Sequence, residues 1–196
     1  MKVGVVAVQG DVSEHVAAFE SAGEELDLEV ESVQFRSSGV VPECDVVAVP
    51  GGESTTISDL LKREGIGREL VKHVDDGGTV FATCAGLIVL SRGAGDKVDT
   101  LDLLDVEVER NAFGRQKDSF EAYLDVSVDE QEIEDFPAVF IRAPMVEEVG
   151  GDAEVISRFG GDVVAVKQGE VLGTSFHPEL TGDYRLHHYV LESAVE

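Results

Sequence analysis

The sequence is short of positive charge. Its 196 residues hold 15 Lys and Arg against 40 Asp and Glu, a net charge of −25. A field of that sign repels polyanions, so nucleic acid and anionic membranes are excluded as partners. Cysteine is scarce as well: Cys44 and Cys84 are the only two, which excludes a disulfide-built scaffold and fits a reduced cytoplasm. A Cys44–Cys84 bridge is the alternative that the count leaves open. No apolar run approaches the ~20 residues that span a bilayer. The chain begins Met1-Lys2-Val3-Gly4-Val5, one charge leading straight into a short apolar stretch rather than a signal peptide, so export is not expected. Repeats, low-complexity linkers and composition breaks are absent too, and the length suits one domain, residues 1–196.

The acidic residues are scattered, as in Asp75-Asp76 and Glu147-Glu148, among 43% hydrophobic residues. A disordered acidic tail would form a block and lack such content. The charge therefore reads as a surface adapted to salt: near 1 M the Debye length shrinks to about 3 Å, which screens self-repulsion that loosens the fold in dilute buffer.

The first half alternates short Val-rich runs with helical patterns, the signature of a parallel α/β sheet. Lys2–Val8, Glu29–Phe35, Val46–Val49 and Thr79–Ala82 read as strands. Asp11 is placed to cap a helix through Ser21, with Val12, Val16 and Phe19 on one face and Gly23 ending it. Pro50-Gly51-Gly52 breaks the third strand, and Ser54 is placed to cap a helix holding Ile57, Leu60 and Leu61. Helices are expected over Gly67–Val74 and Ala85–Ser91. From Leu103 the texture changes to antiparallel strands and hairpins at Val106–Val108, Phe120–Val128, Val139–Ile141, Val155–Phe159, Val163–Val166 and Val171–Ser175, with Gly160-Gly161 as a turn. A last helix, Tyr184–Ala194, packs Leu186, Tyr189, Val190 and Ala194 inward.

Two short motifs carry chemistry. Phe81-Ala82-Thr83-Cys84-Ala85-Gly86 sets a cysteine between a parallel strand and a helix. A tight turn there projects the sulfur above the carboxyl edge of the sheet, the helix N-terminus favours thiolate, and the Ala85 N–H is placed to donate into an oxyanion hole. A buried structural cysteine is the alternative. Phe176-His177-Pro178-Glu179 supplies an imidazole and a carboxylate. In an extended segment residues i and i+2 share a side, so Glu179 can orient His177 while His177 takes the thiol proton. A surface turn is the alternative there. His15, His73, His187 and His188 fall on expected helices without such a partner and read as solvated or packing residues. No Cys or His spacing resembles a metal site.

Thr83-Cys84-Ala85-Gly86 together with His177-Pro178-Glu179 resembles the triad-type glutamine amidotransferases. Further segments narrow the match: Ala7-Val8-Gln9-Gly10, Pro50-Gly51-Gly52-Glu53-Ser54-Thr55-Thr56, Val108-Glu109-Arg110-Asn111-Ala112-Phe113-Gly114-Arg115-Gln116, Asp118-Ser119-Phe120-Glu121, Phe140-Ile141-Arg142-Ala143-Pro144 and Phe176–Thr181. Together they are similar to the glutaminase subunits of pyridoxal 5′-phosphate synthase, over about residues 2 to 192.

The resemblance implies an α/β, flavodoxin-like three-layer sandwich, with a mostly parallel central sheet and an antiparallel extension. It implies Cys84 as nucleophile, with His177 and Glu179 as the relay. Gly52, Glu53, Ser54, Arg110, Ile141 and Arg142 would form the L-glutamine site, and Gly52 and Ala85 the oxyanion hole. No cofactor is implied. The implied partner is a (β/α)₈-barrel synthase subunit, in a large hetero-oligomer, which would take the ammonia. Two departures stand out: Ala82 where relatives usually carry Gly, and Met145 where the Ile-Arg-Ala-Pro segment is commonly followed by His. The rival readings are the glutaminase subunit of another ammonia-using synthase, such as imidazole glycerol phosphate synthase, and a non-catalytic module on the same fold.

Overall fold

The computed structural model describes residues 1–110 and 119–195. Asn111 to Asp118, and with them most of the Glu-Arg-Asn-Ala-Phe-Gly-Arg-Gln segment, lie outside the described residues. The chain runs β1 (Lys2–Val6), α1 (Val12–Glu25), β2 (Glu31–Phe35), β3 (Val46–Val49), α2 (Ser54–Arg63), α3 (Ile66–Asp75), β4 (Thr79–Thr83), α4 (Ala85–Leu90) and β5 (Ser91–Gly93). It continues with β6 (Leu104–Glu109), β7 (Ser119–Val128), β8 (Gln131–Ile141), β9 (Met145–Val149), β10 (Glu154–Phe159), β11 (Asp162–Gln168), β12 (Val171–Thr174) and α5 (Arg185–Ser193).

Five parallel strands in the order β2-β1-β3-β4-β12 form the centre of the sheet. This is the flavodoxin-like order, in which the strand succession reverses beside β1 and opens a crevice at the carboxyl edge. The register sets Val3 opposite Val46, Val49 opposite Ala82, and Thr174 opposite Thr83. Beyond β12 the sheet continues antiparallel through β11, β10, β7 and β8, with β5, β6 and β9 as a side branch. The antiparallel part is thus as large as the parallel centre.

Alternation along the strands divides the core into two layers. Val47, Val49, Val80 and Ala82 point to the side covered by α2, α3 and α4, with Ile57, Leu61, Leu70 and Leu87. Val46, Ala48 and Phe81 point to the side covered by α1 and α5, with Phe19, Leu186 and Tyr189. Helices on both faces make the expected three layers. Each fully buried Val, Leu or Phe contributes about 1.5–3 kcal/mol of transfer free energy, so both faces drive closure of the sheet.

Several expectations are corrected. Helix α1 runs on to Glu25 instead of ending at Gly23. That glycine is needed for packing, since a Cβ on it would stand 2.5 Å from Val30 Cγ2. Asp11 is the N-cap by position but makes no capping side-chain bond. Glu53, not Ser54, caps α2, its carboxylate accepting from the N–H groups of Thr55 (3.1 Å) and Thr56 (2.8 Å). Strand β8 is eleven residues long, against an expected start at Val139. Its first half is acidic and Pro137 stands just past its middle, tolerated because β8 is an edge strand that pairs, among the described residues, with β7 alone. Strands β5 and β9 were not expected; β9 (Met-Val-Glu-Glu-Val) lacks clean alternation. Both cysteines are free, which removes the bridge left open above. Among the described residues, no helix is long and apolar enough to cross a membrane.

Candidate active site

The carboxyl ends of β1, β3, β4 and β12 deliver the central pieces of the site, and the ends of β6 and β8 close it. Cys84 follows β4 directly, with φ 51° and ψ −105°, and its N–H donates to Thr174 O on β12 at 2.7 Å. This is the tight strand-to-helix turn expected at Cys84, and it forms although Ala82 stands in β4. The thiol faces Ile141 O at 3.9 Å. His177 lies past the end of β12, its N–H bound to Val139 O on β8 at 2.8 Å. One ladder contact therefore ties the imidazole loop to the strand that ends in Ile141 and Arg142.

His177 Nδ1 lies 2.7 Å from Glu179 Oε1, and both side chains are buried. The route differs from the extended one expected: His177 precedes a single 3₁₀ turn, Pro178–Leu180, which swings Glu179 back beneath the ring. Burial pushes the His177 imidazolium toward deprotonation. Its hydrogen bonds with Cys84 and Glu179 outweigh that and lift its pKa from 6.5 to about 10. Burial also opposes charge on Glu179, but the facing His15 and His177 hold its carboxyl below the usual range. The arrangement is a base held by a buried carboxylate and facing a thiol, the parts of a nucleophile–base–orienter triad.

A cavity of about 430 Å³ opens in front of Cys84. Gly52, Glu53, Ser54, Ala85, Arg110, Ile141, Arg142 and His177 line it, as do Gly10, Asp11 and Ile88. Every site residue expected from the sequence therefore reaches this cavity except Glu179, which stands behind His177. Gly52 has φ 142°, a conformation that glycine adopts at low cost. The next peptide is fixed by the Glu53 N–H, which donates to Gln9 Oε1 at 2.9 Å. Glu53 also meets Arg110 Nη2 at 3.3 Å, and its hydrogen bonds to Thr56 and Thr55 hold its pKa at about 2.

Three residues escaped the reading of the sequence as parts of the site. Gln9 fixes the Gly52-Glu53 peptide, and Asp11 Oδ2 approaches His177 Nδ1 to 3.4 Å. His15 is fully buried, with Nε2 3.4 Å from Glu179 Oε1 and 3.1 Å from Thr83 Oγ1, which corrects its assignment as a solvated or packing residue. The available signal was its place on the apolar stripe of α1, three residues after Val12 and four before Phe19. His73 and His187 are the packing residues expected. Among the described residues, Asp11, His177 and Glu179 are the one group with metal-ligand spacing. Their donor atoms belong to the relay itself, where Glu179 Oε1 already engages His177 Nδ1.

The sequence profile of the SNO glutamine amidotransferase family matches residues 5–196. The chain is 58% identical over 189 residues to the pyridoxal 5′-phosphate synthase subunit PdxT of Haloquadratum walsbyi, covering 95% of this chain and 90% of that protein. It is 56% identical to the same-named subunit of Haloarcula marismortui, covering 100% and 98%, and 46% identical to that of Methanosarcina mazei, covering 100% and 99%. A crystal structure of a glutamine amidotransferase superposes with a TM-score of 0.86 at 44% identity, over 99% of each chain. The PurLQS structure from Thermotoga maritima shares the fold alone, with a TM-score of 0.67 at 18% identity, over 99% and 97%. With an elbow cysteine, a carboxylate-held histidine and a profile match that begins in β1 and runs to the last residue, this chain belongs to the SNO glutamine amidotransferase family.

Proposed function

We propose that this chain is a single-domain glutaminase, spanning residues 1–196, that hydrolyses L-glutamine to L-glutamate and ammonia at Cys84. The ammonia passes to the synthase subunit that builds pyridoxal 5′-phosphate from ribose 5-phosphate and glyceraldehyde 3-phosphate. His177 takes the thiol proton first and, with a pKa of about 10, holds it as an imidazolium while Cys84 sulfur attacks the side-chain carboxamide carbon. The tetrahedral oxyanion is met by backbone N–H groups of Gly52 and Ala85. As it collapses to a thioester, His177 gives the proton to the departing nitrogen, releasing ammonia. Water, deprotonated by His177, then cleaves the thioester and frees glutamate and the thiol. Glu179 keeps its charge throughout and stabilises the imidazolium.

Arg110 and Arg142 supply positive charge for the substrate α-carboxylate, and Glu53 supplies negative charge for its α-ammonium. The cavity volume suits a substrate of glutamine's size. The observation that carries the reading is the 2.7 Å contact of His177 with Glu179 beneath a cysteine held at φ 51°. The names of the relatives favour a pyridoxal 5′-phosphate synthase partner over imidazole glycerol phosphate synthase. The partner is expected to be a (β/α)₈ barrel in a large hetero-oligomer, and docking to order the oxyanion hole. Two free cysteines fit a reduced cytoplasm.

The test is glutamate release in molar salt from this chain alone, with the synthase subunit of the same organism, and with Cys84→Ala in the pair. Release that needs the partner and vanishes in the variant is the expected result. A pair that releases no glutamate at any salt concentration, or a variant that keeps its rate, overturns the assignment.

A further inference from the structure

His15 is a buried histidine to which the reaction above gives no part. Its ring is fully buried on α1, and its Nε2 reaches two groups of the site: Glu179 Oε1 at 3.4 Å and Thr83 Oγ1 at 3.1 Å. Thr83 directly precedes the nucleophile and is fully buried. The tautomer follows from the company Nε2 keeps. An imidazole lone pair aimed at a buried carboxylate oxygen is repulsive, whereas an N–H aimed there is attractive. The Nε2–H form hydrogen-bonds Thr83 Oγ1 while setting its positive hydrogen beside Glu179 Oε1, a longer electrostatic contact, and leaves the lone pair on Nδ1, which has no partner among the described residues.

Glu179 needs such a donor. Its side chain is wholly buried and its Oε2 has no hydrogen-bond partner among the described residues, so its charge rests on Oε1, which faces both imidazoles, at 2.7 Å from His177 Nδ1 and 3.4 Å from His15 Nε2. A buried carboxylate with too few donors takes up a proton or turns away. Either change would leave His177 without the charge that holds its imidazolium.

We propose that His15 is a positioning residue of the relay, its Nε2–H clamping Glu179 between the two imidazoles and fixing that carboxylate to the strand end that carries Cys84. The chain of contacts is Thr83, His15, Glu179, His177, and it ties α1, β4 and the 3₁₀ turn into one unit. His15 stays uncharged in this role: burial lowers its pKa despite the opposing pull of Glu179. The groups that face it are Glu179, His177, Asp11, Glu14 and His187.

The inference rests on the glutaminase reading, so the test carries controls for both. Glutamate release is followed across pH for the chain with its synthase subunit, using wild type, Cys84→Ala, His15→Phe, His15→Gln and His15→Asn. Gln places an amide N–H near the site of Nε2, and Asn places it near Nδ1. His15→Phe is expected to lower kcat about 10- to 100-fold, the range that the loss of a polar partner from a buried charge supports, with KM within about twofold. The alkaline limb of kcat/KM, set by His177, moves to lower pH, because the imidazolium has lost its ionised neighbour. His15→Gln restores rate and limb toward wild type, and His15→Asn does not.

A merely structural role would lower the folded fraction and leave the limb where it is. Unchanged kcat and limb in His15→Phe overturn the proposal. Where that variant fails to fold, Gln and Asn variants that are equally active, or equally impaired with unmoved limbs, overturn it instead. Absent wild-type release, or activity in Cys84→Ala, strikes the glutaminase reading and is distinct from either result.

Discussion

Gly51 and His177 pack so closely that a Cβ on the glycine would stand 2.6 Å from the imidazole Cε1 and 3.4 Å from Cys84 Cβ. The loop after β3 therefore forms the wall against which the His177 ring is held in line with Cys84. Gly51→Ala is expected to displace the ring rather than the backbone, since the imidazole sits on a loop. A misplacement of about 1 Å costs roughly 100-fold in rate, so kcat should fall by about that factor while the fold survives. Glutamate release together with a melting curve measures both. A variant with wild-type kcat would show that His177 has room to spare.

Arg110 and Glu53 meet at 3.3 Å on the cavity wall, although both are charges that glutamine itself requires. Glu53 is already engaged by Thr55 and Thr56 at the start of α2, so it stays in place when Arg110 turns to the substrate. Arg110→Met should raise KM about tenfold or more with a smaller change in kcat, because a lost bidentate contact is one made in ground and transition state alike. Glu53→Gln should raise KM and also weaken α2, a cap being worth about 1 kcal/mol. Steady-state kinetics on both variants separate the effects. A fall in kcat at constant KM for Arg110→Met would contradict the binding role.

The parallel half of the fold was legible because Val46–Val49 and Thr79–Thr83 are buried on both faces and stand out as unbroken apolar runs. The candidate triad stood out because Cys84 and His177-Pro178-Glu179 sit at ends of such runs. Strand β8 was only half visible: an edge strand needs one apolar face, and its Glu132, Glu134 and Asp135 point to solvent. His15 was hidden for a different reason. Helical periodicity shows that it faces inward, but only the packing of α1 over the turn after β12 brings it to Glu179. No spacing in the sequence encodes that approach between residues 164 positions apart.

His187 is fully buried against Phe19 and Phe81, with ring centroids 4.9 and 5.4 Å away, and neither ring nitrogen has a hydrogen-bond partner among the described residues. Burial holds its pKa at about 3, against an ordinary value of 6.5. The unfolded chain therefore takes up a proton near 6.5 that the folded chain refuses until about 3. Stability is unaffected above that window and falls as pH drops through it, by about 3 kcal/mol at pH 4. His187→Phe removes this contribution. Its Tm relative to wild type should rise by about 5–10 °C between pH 7.5 and pH 4; taking that difference cancels any packing cost, and a constant difference would count against the assignment.

The net charge of −25 predicts a protein whose fold depends on salt. Acidic side chains such as Asp75, Glu130 and Asp162 are exposed on well-separated elements, so their repulsion acts over the range that ions screen. The Debye length falls from about 10 Å at 0.1 M to about 3 Å at 1 M, which leaves only near neighbours interacting. The Tm should therefore climb steadily from dilute buffer to molar sodium chloride. Asp75→Asn, Glu130→Gln and Asp162→Asn combined should raise the dilute-buffer Tm and leave the molar-salt value nearly unchanged, because salt has already silenced the charges they remove. A wild-type Tm that is flat across the titration would mean that the acidic surface carries no repulsive cost. A triple variant stabilised equally at both salt concentrations would trace the gain to local packing instead of long-range charge.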